Sequence, residues 1–218
     1  FERLPKGLQQ EMRDGPLGYL QAQLQRAVTL ENRELGSKLV HRVIEDLRHA
    51  VEGAEHPARD RVLKLLQQLQ QSYQQALSSE SQQDWAQAYQ LVSAIASSGI
   101  EGLGGWGKIP GNVMVHDQRL LLPGIEFGNI FVGPQPPRGW ELNEELLHAN
   151  LSFPPPHQYM ALYQWLRNDF KVDALVHLGR HSTYEFLPRH RVGLGSEDYS
   201  LALLDDVPSV YPYIVDGV

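Results

Sequence analysis

A cluster of glycines from Gly99 to Gly111 divides this chain into two stretches whose apolar residues recur with different periods. Before it, from about Leu17 to Ile100, the spacing is three to four residues. Leu20, Leu24 and Val28 mark a first helix, and Leu39, Val43, Leu47 and Val51 a second. Val62, Leu66, Leu69, Tyr73 and Leu77 mark a third, and Trp85, Tyr89, Val92 and Ile95 a fourth. Gly53 and Pro57 break the second from the third, and Ser81 followed by Asp84 has the pattern of an N-terminal cap. The glutamines of Arg61–Gln90 fall on the non-apolar positions, as on a solvated helix face.

The glycine cluster contains two apparent phosphate-binding patterns, and both fail on context. Gly102, Gly104 and Gly107 satisfy G-x-G-x-x-G, while Gly102, Gly107 and Lys108 come near a P-loop. The P-loop needs a hydroxyl after its lysine to hold magnesium, and the residue here is Ile109. Neither pattern follows an apolar strand, and Pro110 disfavours a helix starting there. The chain is therefore expected to carry no ATPase of its own.

After the cluster, short apolar runs alternate with a helix pattern. Leu120–Leu122 and Ile130–Val132 read as strands, Tyr159, Leu162, Leu166 and Phe170 as one helix beginning near His157, and Ala174–Leu178 as a further strand. That order predicts a right-handed βαβ unit in which Ile130–Val132 and Ala174–Leu178 lie parallel in one sheet. The expected protein is thus of the α/β class: an N-terminal helical region, residues 1–100, followed by an α/β region, residues 101–218, containing a βαβ unit in a parallel or mixed sheet.

Ligands of open parallel sheets bind beyond the carboxyl ends of the strands. There the sequence Val176–Pro188 (VHLGRHSTYEFLP) places His177, His181 and Glu185 at four-residue intervals, and Pro134–Gly139 should reach the same edge. Residues four apart share a helix face, and imidazole with carboxylate suits cobalt, nickel or zinc and accepts protons near neutral pH. A chance His-x-x-x-His is the competing explanation in a chain with nine histidines.

Composition excludes several classes. A net charge of −7 argues against a broad nucleic-acid or anionic-membrane surface. The absence of cysteine removes disulfides, thiolate ligands and a cysteine nucleophile, and it fits a cytoplasmic protein. No apolar run is long enough to span a bilayer. The abrupt ends, Phe1 and Asp216-Gly217-Val218, suggest a fragment of a longer chain.

From Trp106 to Val218 the chain resembles the large subunit of the ATP-dependent tetrapyrrole metal chelatases, the aerobic cobaltochelatase and its magnesium chelatase relatives. The resemblance rests on WGKIPGN (Trp106–Asn112), PGIEFGNIFVGPQPPRGW (Pro123–Trp140), PPPHQYMALYQWLR (Pro154–Arg167) and YPYIV (Tyr211–Val215). It rests above all on VHLGRHSTYEFLP, which is similar to the family's His-x-Gly-x-His-Gly-x-x-Glu-x-x-Pro signature. Ser182 replaces the signature's second glycine, Pro188-Arg189-His190 stands for the usual Pro-Gly-Lys, and Gln158 replaces a second histidine. The helical half does not match the family pattern clearly beyond Leu4-Pro5.

This resemblance implies a tetrapyrrole and metal site. His177, His181 and Glu185 would meet the metal, with Glu185 and His181 also catalytic, and His157, Arg138, Gln135 and Asn129 would bind substrate. The Gln135-Pro136 segment followed by Pro137-Arg138-Gly139 leans to the cobalt branch. It implies insertion of Co2+ into hydrogenobyrinic acid a,c-diamide for cobalamin, or Mg2+ into protoporphyrin IX in the sister branch. ATP would be hydrolysed by an AAA-type ATPase subunit acting with a third subunit. Arg138 would pair with a peripheral carboxylate of the macrocycle, and Tyr184, Phe186 and Trp140 could stack on its ring. Three other readings stay open: a divergent non-catalytic relative, a stand-alone hydrolase holding zinc on His177, His181 and Glu185, and a binding module that docks through the helical half.

Overall fold

The computed structural model describes residues 1–28, 33–79, 81–138, 152–179, 186–190, 192–210 and 212. Four long helices come first: α1 (Lys6–Val28), α2 (Arg33–Glu52), α3 (Arg59–Ser79) and α4 (Gln82–Ala96). Two hairpins follow, β1 (Val115–His116) with β2 (Arg119–Leu120), and β3 (Ile125–Phe127) with β4 (Ile130–Val132). Then come α5 (His157–Trp165), running into a π turn at Leu166–Phe170, β5 (Leu175–Val176), α6 (Tyr199–Leu204) and β6 (Ser209–Val210).

The helical half forms as the spacing predicts. The Ser81 side chain accepts from the Gln83 amide at 3.2 Å and caps α4. Val43, Leu47 and Val51 of α2, Leu66, Leu69 and Tyr73 of α3, and Trp85, Val92 and Ile95 of α4 meet in one core. Covering each such side chain contributes about 1.5–3 kcal/mol against leaving it in water.

Helix α1 differs from the expectation, beginning well before Leu17 and bending in the middle. Gly15 stands at φ 62°, ψ −164°, and Pro16 has no amide hydrogen to give the Met12 carbonyl, its partner in an unbroken helix. The glycine cluster supplies the missing bonds. Trp106 N donates to Met12 O at 2.8 Å, and Leu17 N donates to Leu103 O at 3.3 Å. The backbones are so close that a β-carbon on Gly105 would lie 2.1 Å from the Arg13 carbonyl oxygen, and one on Gly15 2.2 Å from the Gly105 nitrogen. The cluster is therefore a clamp on a broken helix.

The bend lets α1 serve two cores. Leu17, Leu20 and Leu24 join the bundle, whereas Leu8 and Met12, both fully buried, join Leu4, Tyr159, Met160, Tyr163, Leu187, Tyr199 and Leu203 in a second core.

The strands correct the expected pairing. Ile130–Val132 is a strand, but its partner is β3, antiparallel, across the two-residue turn Gly128-Asn129. The strand near Ala174–Leu178 narrows to β5, which lies in a different sheet and pairs in parallel with β6. The parallel βαβ unit is thus β5–α6–β6. Closing a two-residue turn costs far less chain entropy than bringing β4 to β5 across more than forty residues, so the hairpin takes β4's hydrogen bonds. The strand read at Leu120–Leu122 is Arg119–Leu120, and Phe170 lies on the π turn rather than on an α-helix.

Candidate functional site at the strand ends

Pro154-Pro155-Pro156 keeps the chain extended up to α5, whose first residue is His157. Two bonds from the glycine cluster fix this start. The Trp106 indole Nε1 donates to Pro154 O at 2.8 Å, and His157 Nε2 lies 2.9 Å from Gly107 O. A carbonyl only accepts, so Nε2 carries the proton. His157 is buried, and burial holds its pKa below the usual histidine range, against the opposing pull of the Gly107 carbonyl.

Further along α5, Tyr163 is the hub of the candidate site. Gln135, in the segment after β4, donates from Nε2 to the Tyr163 hydroxyl at 2.7 Å. The His177 ring lies 6.2 Å from the Tyr163 ring, tilted by 37°. His177 is half-buried and follows β5 directly; its amide donates to Val210 O at 2.9 Å, which places it at the carboxyl end of the parallel pair. Tyr159, one turn earlier, has its ring 5.2 Å from that of Tyr163.

Arg138 packs beneath this group. Its Nη2 donates to Phe153 O at 3.2 Å, and its guanidinium lies 5.8 Å over the Tyr159 ring. The side chain is buried, and its Nε and Nη1 have no hydrogen-bond partner among the described residues. Burial pushes its pKa down, with the neighbouring tyrosines Tyr159, Tyr199 and Tyr163 pulling the other way. A buried guanidinium without an acid costs several kcal/mol unless something neutralises it.

Of the sequence-based candidates, the structure gathers Gln135, Arg138 and His177 around Tyr159 and Tyr163, and sets His157 at the start of the same helix. Asn129 lies exposed in the β3–β4 turn. His181 and Glu185, like Tyr184 and Trp140, lie outside the described residues. Tyr159 and Tyr163 were absent from the candidate set; two tyrosines at i, i+4 behind the proline run were the available signal. A groove of about 490 Å³ opens elsewhere, between α1 and α4, and none of the candidates lines it.

The signature's end shows how this chain departs from the pattern. Arg189 stands at φ 80°, in the left-handed region that favours glycine. It is held there by an ion pair with Glu11 of α1, whose carboxylate also accepts from the Tyr199 hydroxyl at 3.1 Å. Burial and that carboxylate push the Tyr199 phenol far above its usual pKa.

Residues 21–218 match the model of the family described as CobN/Magnesium Chelatase. An uncharacterized protein of Methanocaldococcus jannaschii is 43% identical over 112 residues, 51% of this chain and 9% of that protein. The aerobic cobaltochelatase subunit CobN of Pseudomonas aeruginosa is 40% identical over 111 residues, again 51% and 9%. A magnesium-chelatase subunit of Rhodobacter capsulatus is 37% identical over 112 residues, with the same shares. No solved structure matches. With a family match running through most of its length, the chain belongs to the CobN/magnesium chelatase family.

Proposed function

We propose that this chain is part of the tetrapyrrole-binding large subunit of a cobaltochelatase, which inserts Co2+ into hydrogenobyrinic acid a,c-diamide in the cytoplasm. The observation that carries the reading is the family match across residues 21–218, which spans the His177, His181, Glu185 signature. The cobalt assignment is supported by the Pro134-Gln135-Pro136-Pro137-Arg138 run.

Insertion needs a loosely held cation and a base for the ring N–H protons. Co2+, as substrate, is met by His177, His181 and Glu185, imidazole and carboxylate being ligands from which a borderline cation can leave. Glu185 or His181 takes the ring protons. Gln135 borders the substrate, held in place by Tyr163. His157 borders the substrate from the start of α5, and Asn129 reaches the macrocycle from the β3–β4 turn. Arg138 pairs with a peripheral carboxylate, which would offset the cost of its buried charge. An AAA-type ATPase subunit with its associated third subunit hydrolyses the ATP, a role the resemblance supports.

The test is insertion by the full-length protein with its partner subunits and ATP, followed by the absorbance shift of the macrocycle. Glu185→Gln is expected to slow cobalt insertion about 10²–10⁴-fold while retaining tetrapyrrole binding. Unchanged insertion in this variant overturns the site. A magnesium-type reading has its own support, since magnesium-chelatase subunits are among the relatives. Insertion of Mg2+ into protoporphyrin IX, with no activity on the cobalt pair, would replace the cobalt assignment.

A further inference from the structure

The β3–β4 hairpin carries Glu126 and Phe131 on one face and four apolar side chains on the other. Its register puts Phe131 on one face, where it packs edge-on against Trp165 and Phe170 at 5.2 and 6.1 Å between ring centroids. The other face pairs Ile125 with Val132 and Phe127 with Ile130. All four of these side chains are 58–62% exposed. A hairpin with one wet face turns its apolar residues to the core and its polar ones to water, and here the face made of apolar residues alone is the open one.

The β5–β6 pair also leaves an apolar face open. Val176 and Val210 are register partners, so they share a face, and each is 56% exposed. Parallel strands occur almost only in sheets covered on both sides, and a two-stranded sheet is marginal without further strands or a packed layer.

We propose that the Ile125, Phe127, Ile130, Val132 face is an interior surface of the full-length protein, covered by polypeptide of the same chain outside these 218 residues. The matched stretch is 9% of the length of each relative compared, so the greater part of such a protein lies outside it and is available to pack here. A second copy is the poorer occupant. Four side chains already about two-fifths covered offer far less than the roughly 800 Å² per partner of a stable interface. The covering layer is apolar on its inner face, because no buried charge stands on this side of the hairpin, among the described residues, to receive a polar group.

Carbene footprinting of the wild-type full-length protein, read by mass spectrometry on the peptide carrying Ile125–Val132, tests this. The expected result is labelling several-fold below that of the same peptide in denaturant, at every protein concentration and without added tetrapyrrole. Labelling equal to the denatured level overturns the proposal. So does protection that appears only as concentration rises, which assigns the face to a second copy. Protection that appears only with protoporphyrin IX assigns it to the macrocycle and equally overturns the proposal. As a second arm, Val132→Ser should lower the apparent Tm of the full-length protein; an unchanged Tm counts against a covered face.

Discussion

The side-chain amide of Gln135 donates to the phenol oxygen of Tyr163 at 2.7 Å, fastening the segment after β4 to α5 across 28 positions of sequence. Tyr163 is buried and its ring also faces His177. Tyr163→Phe removes the acceptor and keeps the ring, so it should destabilise by about 1 kcal/mol. Gln135→Ala should cost a similar amount, and the double variant less than the sum. Chemical denaturation of the four proteins gives the coupling, and strict additivity would show that the bond contributes nothing.

Arg189 occupies a left-handed backbone conformation and pairs with Glu11. Arg189→Ala loses the ion pair and keeps the backbone cost, whereas Arg189→Gly loses the pair and relieves it. The glycine variant should be the more stable of the two by about 1–2 kcal/mol. Equal midpoints for both in urea would contradict the conformational argument.

His157 provides a pH signature. Its folded pKa lies below that of the unfolded chain, so below about pH 6.5 the unfolded state binds a proton that the folded state refuses. Its contribution to stability is therefore intact above the unfolded value and lost as pH falls toward the folded one. The thermal midpoint should drop through that window, and His157→Gln should flatten the drop. A His157 variant with the same pH slope as wild type would contradict this assignment.

Gly105 admits no side chain. At φ 82°, with the Arg13 carbonyl oxygen 2.1 Å from a built β-carbon, Gly105→Ala must push the clamp off the α1 bend. A loss of about 3 kcal/mol or more is expected. Gly107→Ala, where nothing lies within 4 Å, meets only the strain of its φ of 65° and should cost about 1–2 kcal/mol. Equal denaturation midpoints for the two variants would count against the clamp.

The helices were legible because each depends on a local repeat, and residues that set it, such as Leu20, Leu47, Leu66 and Ile95, are buried. The start of α5 was legible for a related reason, since three prolines exclude helix before His157. Strand pairing was not, because strands of two or three residues carry too little pattern to name a partner. The Gly128-Asn129 turn was the local signal for the β3–β4 hairpin. Leu4, Leu8 and Met12 repeat at i, i+4, i+8 and announce an early start to α1, but Gly15-Pro16 resembles a boundary rather than a bend. The chelatase-like signature and its neighbouring segments nominate Gln135, Arg138 and His177, and the structure sets these three around Tyr159 and Tyr163. Tyr163, which joins Gln135 to His177, carries no motif and is apparent only once α5 is placed between them.

The bend of α1 makes the chain's spatial seam different from its sequence seam. A cut at the glycine cluster looks natural on paper, yet it would carry Leu8 and Met12 away with the bundle and strip the lining from the core behind Tyr163. The same helix acts as a dowel driven through both blocks. For either block to slide against the other, the Trp106–Met12 bond must break or those two side chains must leave their seats. Force applied to the bundle thus arrives at the tyrosines under the strand ends through the two arms of one bent helix.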